Sequence, residues 1–311
     1  MANKILSSID NYQKSNKSTA FLFGVIKKYS EDNGSYLSAL VAYYTVLSIF
    51  PLLLVFYEVV ELLPSSSGLK SSMAAAINRY FPVLGSQIAS GVHSPGKTGL
   101  ALGISILITL YGARGGASAF IYSISQIWKI DYTKRHTFPK SILISLELIG
   151  VAGIGLLIAS SLAGFSIAGR SMVTAIISNL VSAAIIWLTL IALVRIAIPG
   201  KQKLRDYATG SAMAAVLIQI IEIAGNLILK NELKKLSGVY GTFALALGLI
   251  FWVYLLTEVT FYGIEIDSVK KLRLYPRSLT RELTLPDEIA MSDDAKTQKR
   301  HPEEEVNVKF N

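Results

Sequence analysis

Six apolar stretches, each long enough to cross a bilayer, run between about residues 36 and 269 of this chain. The last, Tyr240 to Val269, reads YGTFALALGLIFWVYLLTEVTFYGIEIDSV. A helix rises about 1.5 Å per residue, so roughly 20 apolar residues cover the hydrocarbon core. A soluble domain of this size can hide one such run in its interior, but not six. The sequence therefore predicts an all-α fold, a polytopic membrane bundle of six transmembrane helices at about 36–63, 98–122, 139–163, 175–199, 207–229 and 240–269. Composition agrees, because 16% of residues are charged where soluble domains carry about a quarter.

The net charge of +9 could suggest a nucleic-acid partner, but the placement of the charge points elsewhere. Lys4, Lys14, Lys17, Lys27 and Lys28 precede the first span. Lys129, Lys134 and Arg135 follow the second, Lys201, Lys203 and Arg205 follow the fourth, and Lys270, Lys271, Arg273, Arg277 and Arg281 follow the sixth. The alternate connections hold only Lys70, Arg79 and Lys97, then Arg170, then Lys230, Lys234 and Lys235. That is about sixteen basic residues against seven, and positive charge marks the cytoplasmic side. Both termini are thus expected in the cytoplasm. The expected organisation is an N-terminal segment 1–35, a membrane domain 36–270 with an outer loop 64–97, and a charged, disordered tail 271–311. The outer loop should hold a short surface helix ended near Pro82 and again at Pro95 and Gly96. With no cysteine there is no disulfide, thiolate metal site or cysteine nucleophile.

Ionisable groups inside a membrane are costly unless paired or hydrated, so each is a candidate functional residue. Arg114 lies in the second span within YGARGGASAF, beside Gly115 and Gly116. So little side-chain bulk lets a neighbouring helix approach closely or makes room for a ligand. A guanidinium does not deprotonate and must find an anion, water or the interface. Glu147 and Glu258 lie at comparable depth in the third and sixth spans. Either could pair with Arg114 to fix helix register, or the three could line a polar cavity that binds an anionic group. Gln219, Glu222 and Asn226 fall at i, i+3 and i+7 in the fifth span, which is one helix face pointing into the bundle.

Several motifs occur in an order that resembles the YihY/BrkB family of bacterial inner-membrane proteins, which older annotation calls ribonuclease BN. They are AYYTVLSIFPLLL, LYGARGGASAFIYSISQIWKI, VRIAIPGKQKLRDYATGSAMAA and VYGTFALALGLIFWVYLLTEVTFYGIEID, covering roughly residues 20–270. The resemblance implies six helices with both termini cytoplasmic. It marks Pro51, Gly115, Gly116, Arg135, Pro199, Gly210, Tyr240, Gly241, Trp252, Gly263 and Glu265 as family features. Ser125 departs from it, standing where the family usually has Asn. At family level it suggests transport or envelope maintenance and fixes no activity.

Two functions follow from the residues. One is export or transport of an anionic lipid-like or small solute through the bundle. The other is a non-transporting scaffold for envelope assembly, whose buried charges are structural. Nuclease chemistry lacks its groups, since His93, His136 and His301 stand far apart and outside the spans, whereas metal-dependent hydrolysis needs clustered ligands. The chain is thus expected to be a multi-pass protein of the cell inner membrane and not an enzyme. No catalytic residue, metal or cofactor is expected, and the bilayer and an anionic amphiphile are its partners. The Gly-rich second span would equally suit self-association into a homo-oligomer.

Overall fold

The computed structural model describes residues 2–61, 68, 100–168, 172–200, 203–280 and 283–299, which are helical with no strand among them. In chain order the helices are α1 (Ala2–Ser15), α2 (Lys17–Glu31), α3 (Gly34–Glu61), α4 (Leu100–Ile127), α5 (Lys140–Ala168), α6 (Met172–Ala197), α7 (Ala208–Leu272) and α8 (Leu285–Thr297). Short 3₁₀ turns at Tyr132–Lys134 and Leu204–Tyr207 lead into α5 and α7.

The central helices are apolar on every side. On α5, Leu143, Ile154 and Ile158 face outward while Ile144, Leu148 and Ala159 face inward. A helix in water would turn a polar face to the solvent, whereas one that is apolar all round belongs in lipid. Among the described residues, four segments are long and apolar enough to cross a membrane: Lys140–Ala159, Ile176–Ala197, Leu204–Gly225 and Leu247–Leu272. They coincide with the last four predicted spans. The first two predicted spans fall on α3 and α4. The surface helix expected in loop 64–97 lies outside the described residues.

α3 packs along α4, α5 along α6, and α7 against α3 and α6. α7 runs from Ala208 to Leu272, and its two ends lie side by side. Gly210 meets Gly263, and Gly225 lies under the Trp252 ring, so the chain reverses between them and the arms run antiparallel. The interior of the bundle holds Ile124, Ile127, Val194, Phe261 and Ile264, contributed by α4, α6 and α7.

One expectation is corrected. The tail from residue 271 was expected to be disordered, but residues 285–297 form α8, with Ala290 packed on Val25, Val269 and Leu274. Polar composition suggested disorder because most charges in such a tail face water. Here the buried Arg277 and Asp287 pair with each other and with Glu31 and Lys27 of α2, which fixes the segment to that helix.

The two arms of α7 touch backbone to backbone. A Cβ on Gly210 would stand 1.7 Å from the Gly263 carbonyl oxygen, and one on Gly263 would stand 2.4 Å from the Gly210 oxygen. Neither obstacle is a flexible side-chain end, so the arms would have to separate. Gly210→Ala or Gly263→Ala should cost about 1–3 kcal/mol as overpacking. The apparent melting temperature of the detergent-solubilised protein should fall, whereas Gly150→Ala, with open space at its Cβ, should leave it unchanged.

Candidate functional site

Inside the spans, polar side chains gather where α5, α6 and α7 meet. Gln219 Nε2 donates to Ser182 Oγ at 3.2 Å, and Ser182 Oγ donates to the Ala159 carbonyl at 3.3 Å. Glu222 lies one turn beyond Gln219 on the same face and is 2% exposed. The predicted polar face of the fifth span thus points into the bundle, while the side chain of Asn226 lies outside the described residues. Lipid offers these groups no hydrogen-bond partner, so their place is between helices.

Arg114 stands apart from both predicted carboxylates. Ser35 Oγ donates to Glu258 Oε1 at 3.2 Å, near the start of α3. Gly116 instead faces Thr45, ten residues further along α3, or about 15 Å of helical rise. Glu147 is exposed on the outside of α5. Ser145, two residues away, faces α4 through Ser118, which turns Glu147 away from that helix. Among the described residues Arg114 makes no ion pair. Its Nε is buried without a hydrogen-bond partner, and its guanidinium lies 6.0 Å from the Tyr111 ring centroid. The space beside Gly115 and Gly116 is taken by Tyr44 and Thr45 of α3, so these glycines serve close helix contact.

A second constellation went unnoticed in the sequence. Lys28, 1% exposed, donates to Asp32 Oδ2 at 2.6 Å, Glu265 Oε2 at 2.7 Å and the Ile127 carbonyl at 2.8 Å. Ile127 is the last residue of α4, so its carbonyl has no partner within the helix. Lys28 and the Ser268 hydroxyl at 3.0 Å satisfy it. Just beyond, Lys129 adopts φ +51°, a conformation usually left to glycine. The Ile130 amide reaches back to Ser125 at 2.9 Å and the Lys129 amide to Gln126 at 3.1 Å, the Schellman pattern. A lysine occupies this position because its ammonium pairs with both Asp32 and Asp294. Burial disfavours the charge of Asp32, but Lys28 and Lys129 outweigh it and hold its carboxyl below the usual range. The same carboxylates raise Lys129 above its ordinary value against the effect of burial. At α7, Asp267 accepts from the Gly210 amide at 2.7 Å and the Ser211 amide at 3.3 Å, which caps the first turn.

A third network lies beside it. Asp287 Oδ1 accepts from Lys27 and Arg277, each at 2.8 Å, while Oδ2 accepts from the Ser278 amide at 3.0 Å and the Thr284 hydroxyl at 2.6 Å. Arg277 also pairs with Glu31 at 2.7 Å. Asp10 accepts the Leu279 amide at 2.8 Å, and Gln13 donates to the Arg277 carbonyl at 2.6 Å. Helices α1 and α2 are thereby joined to residues 277–287 at one end of the bundle. The Lys28–Asp32 pair, at i and i+4, was visible in the sequence as a helix-surface pair, but its burial was not.

A model of the family described as Virulence factor BrkB matches residues 25–283. The chain belongs to the BrkB family. It is 23% identical over 279 residues to a UPF0761 membrane protein of Psychrobacter sp. (strain PRwf-1), covering 83% of this chain and 50% of that relative. It is 24% identical over 265 residues to a UPF0761 membrane protein of Alcanivorax borkumensis (strain ATCC 700651 / DSM 11573 / NCIMB 13689 / SK2), covering 81% of this chain and 60% of that relative. The chain thus spans about half the length of the first relative and 60% of the second. No solved structure matches it. The motif positions that pointed to the BrkB family include several contacts just described: Gly210 on Gly263, Trp252 over Gly225, and Glu265 on Lys28. Arg135 Nε donates to the Ile130 carbonyl at 3.2 Å, bracing the turn after α4.

Lys28→Met should strand Glu265 as a buried charge, leave Asp32 to Lys129 alone, and cost about 3–5 kcal/mol. Adding Glu265→Gln should recover part of the loss, and a double-mutant cycle on thermal unfolding measures the coupling. A second expectation concerns pH. Burial opposes the charge on Asp287, but Lys27, Thr284, Ser278 and Arg277 outweigh it and hold its carboxyl well below the usual range. Its stabilisation is therefore complete above the unfolded value of about 3.9 and is lost as pH falls towards the folded one. Amide protection of residues 285–297, corrected for intrinsic exchange, should be constant from pH 8 to about 5 and decline below about pH 4.

Proposed function

We propose that this BrkB-family protein is a multi-pass transporter of the inner membrane, with six spans and both termini cytoplasmic. Its cargo is an anionic lipid-like molecule or small solute, and it is not an enzyme. The observation that carries this reading is Arg114, a guanidinium within an apolar helix that has no carboxylate partner among the described residues and a buried Nε without an acceptor. A register-fixing ion pair would have placed Glu147 or Glu258 against it. An anionic group passing through the membrane supplies the missing partner by chemistry suited to a guanidinium. The polar face of Gln219 and Glu222 supports a route lined by side chains that lipid would not accept. The meeting of α1 and α2 with residues 277–287 on one side of the bundle supports an even number of crossings between them.

A scaffold for envelope assembly is the second reading, favoured by the concentration of ion pairs and hydrogen bonds that tie α1, α2 and residues 277–287 together outside the apolar spans. Native mass spectrometry and reconstituted flux, wild type beside Arg114→Ala, separate the two. Transport predicts that the variant folds at normal abundance, loses a bound anionic lipid, and drops at least tenfold in flux, about 1.4 kcal/mol of lost interaction. Unchanged binding and flux would overturn it.

A further inference from the structure

The two N-terminal helices turn apolar side chains outward while burying some of their polar ones. On α1 the buried side chains are polar, Asp10 and Gln13, and they reach into the network around Ser278 and Arg277. The outward side chains include Ile9 and Tyr12, the latter 70% exposed, beside Asn11 and Ser15. On α2 Lys28 is buried with Ala20, Val25 and Tyr29, the charged Lys17 and Glu31 are exposed at its two ends, and Leu22 (57% exposed) and Ile26 look outward between them. Ile9 and Tyr12 are spaced i, i+3, and Leu22 and Ile26 are spaced i, i+4, so each pair forms a patch on one face. Single exposed apolar residues are ordinary on any protein. Paired apolar patches on two successive helices that run into a membrane span are not, and they call for an apolar medium outside.

We infer that this outward face of α1 and α2 lies in the headgroup–acyl boundary of the leaflet at the termini's end of the bundle, with phospholipid as its partner. Continuity with α3 supports this occupant. Only Asp32 and Asn33 separate α2 from α3. Residues 35–57 of α3 carry no charge, and Tyr36, Tyr43 and Leu47 face outward, Tyr36 being 78% exposed. The lipid-facing surface of α3 therefore begins within a turn of the end of α2. Tyr12 and Tyr36 present the apolar ring and polar tip that favour the membrane–water boundary. Interfacial helices bury such a face about 5–10 Å below the headgroups. The hairpin would thus be held from both sides, by ion pairs within and by lipid without.

The chain has no cysteine, so single cysteines at Ile9, Tyr12, Leu22, Ile26 and Lys296 can carry a nitroxide in the full-length protein. The probe medium is nanodiscs of phosphatidylethanolamine and phosphatidylglycerol, and power saturation compares collision with oxygen and with a water-soluble nickel chelate. Oxygen should exceed the chelate several-fold at the first four positions, and the order should reverse at Lys296, which is exposed on α8. Chelate access at Tyr12 and Leu22 equal to that at Lys296 would overturn the inference in favour of water. Exclusion of both reagents would overturn it in favour of a protein partner or a second copy. Four independent positions keep the result decisive if one label disturbs folding.

Discussion

The ammonium of Lys28 is the point on which the fold turns. A charge taken out of water is tolerated only where several partners replace its hydration. Lys28 finds them in Asp32, Glu265 and the Ile127 carbonyl, which belong to the α2–α3 turn, the far arm of α7 and the end of α4. One side chain thereby fixes where four elements meet. Lys129, held in a left-handed conformation, extends the arrangement to α8 through Asp294. Within lipid, apolar side chains gain little by packing on one another instead of on acyl chains. Directional contacts of this kind therefore carry much of the specificity that a soluble core would derive from burial.

The bundle itself shows the complementary device. Where no charges are available, helices approach through missing side chains: Gly210 on Gly263, Gly116 on Thr45 and Gly225 beneath Trp252. Close approach increases dispersion contact and shortens dipolar distances, which are the remaining sources of attraction between helices in lipid. Asp267 adds to this by capping the start of one α7 arm from the other, so the two arms share both backbone contact and a charge-assisted hydrogen bond.

The apolar helices were legible in the sequence because a membrane span is announced by length and hydropathy alone, and the four apolar segments lie where those runs were. The inward direction of Gln219 and Glu222 was legible too, since their spacing allows one face and lipid excludes them from the outside. What escaped was everything that depends on which helix ends meet. Lys27 and Lys28 were counted as topology charges and Glu265 was absorbed into the last span, because nothing local says that 237 residues of separation close into a 2.7 Å contact. The order of α8 was missed for the same reason, since its anchor is Lys27 at the other end of the chain. The separation of Arg114 from Glu147 and Glu258 depends on helix register and rotation, which charge spacing within single helices does not reveal.

That same separation of 237 residues between Lys28 and Glu265 sets a schedule for biogenesis. Ribosomes add about 5–20 residues per second, so Lys28 emerges on the order of 10–50 s before its carboxylate partner exists. Through that interval the N-terminal helices must wait with their charged face uncovered, hydrated or held by another molecule. Closure of this end of the molecule thus waits on the synthesis of the last span, and a chain truncated before Glu265 would leave its earliest helices without the seat they were made for.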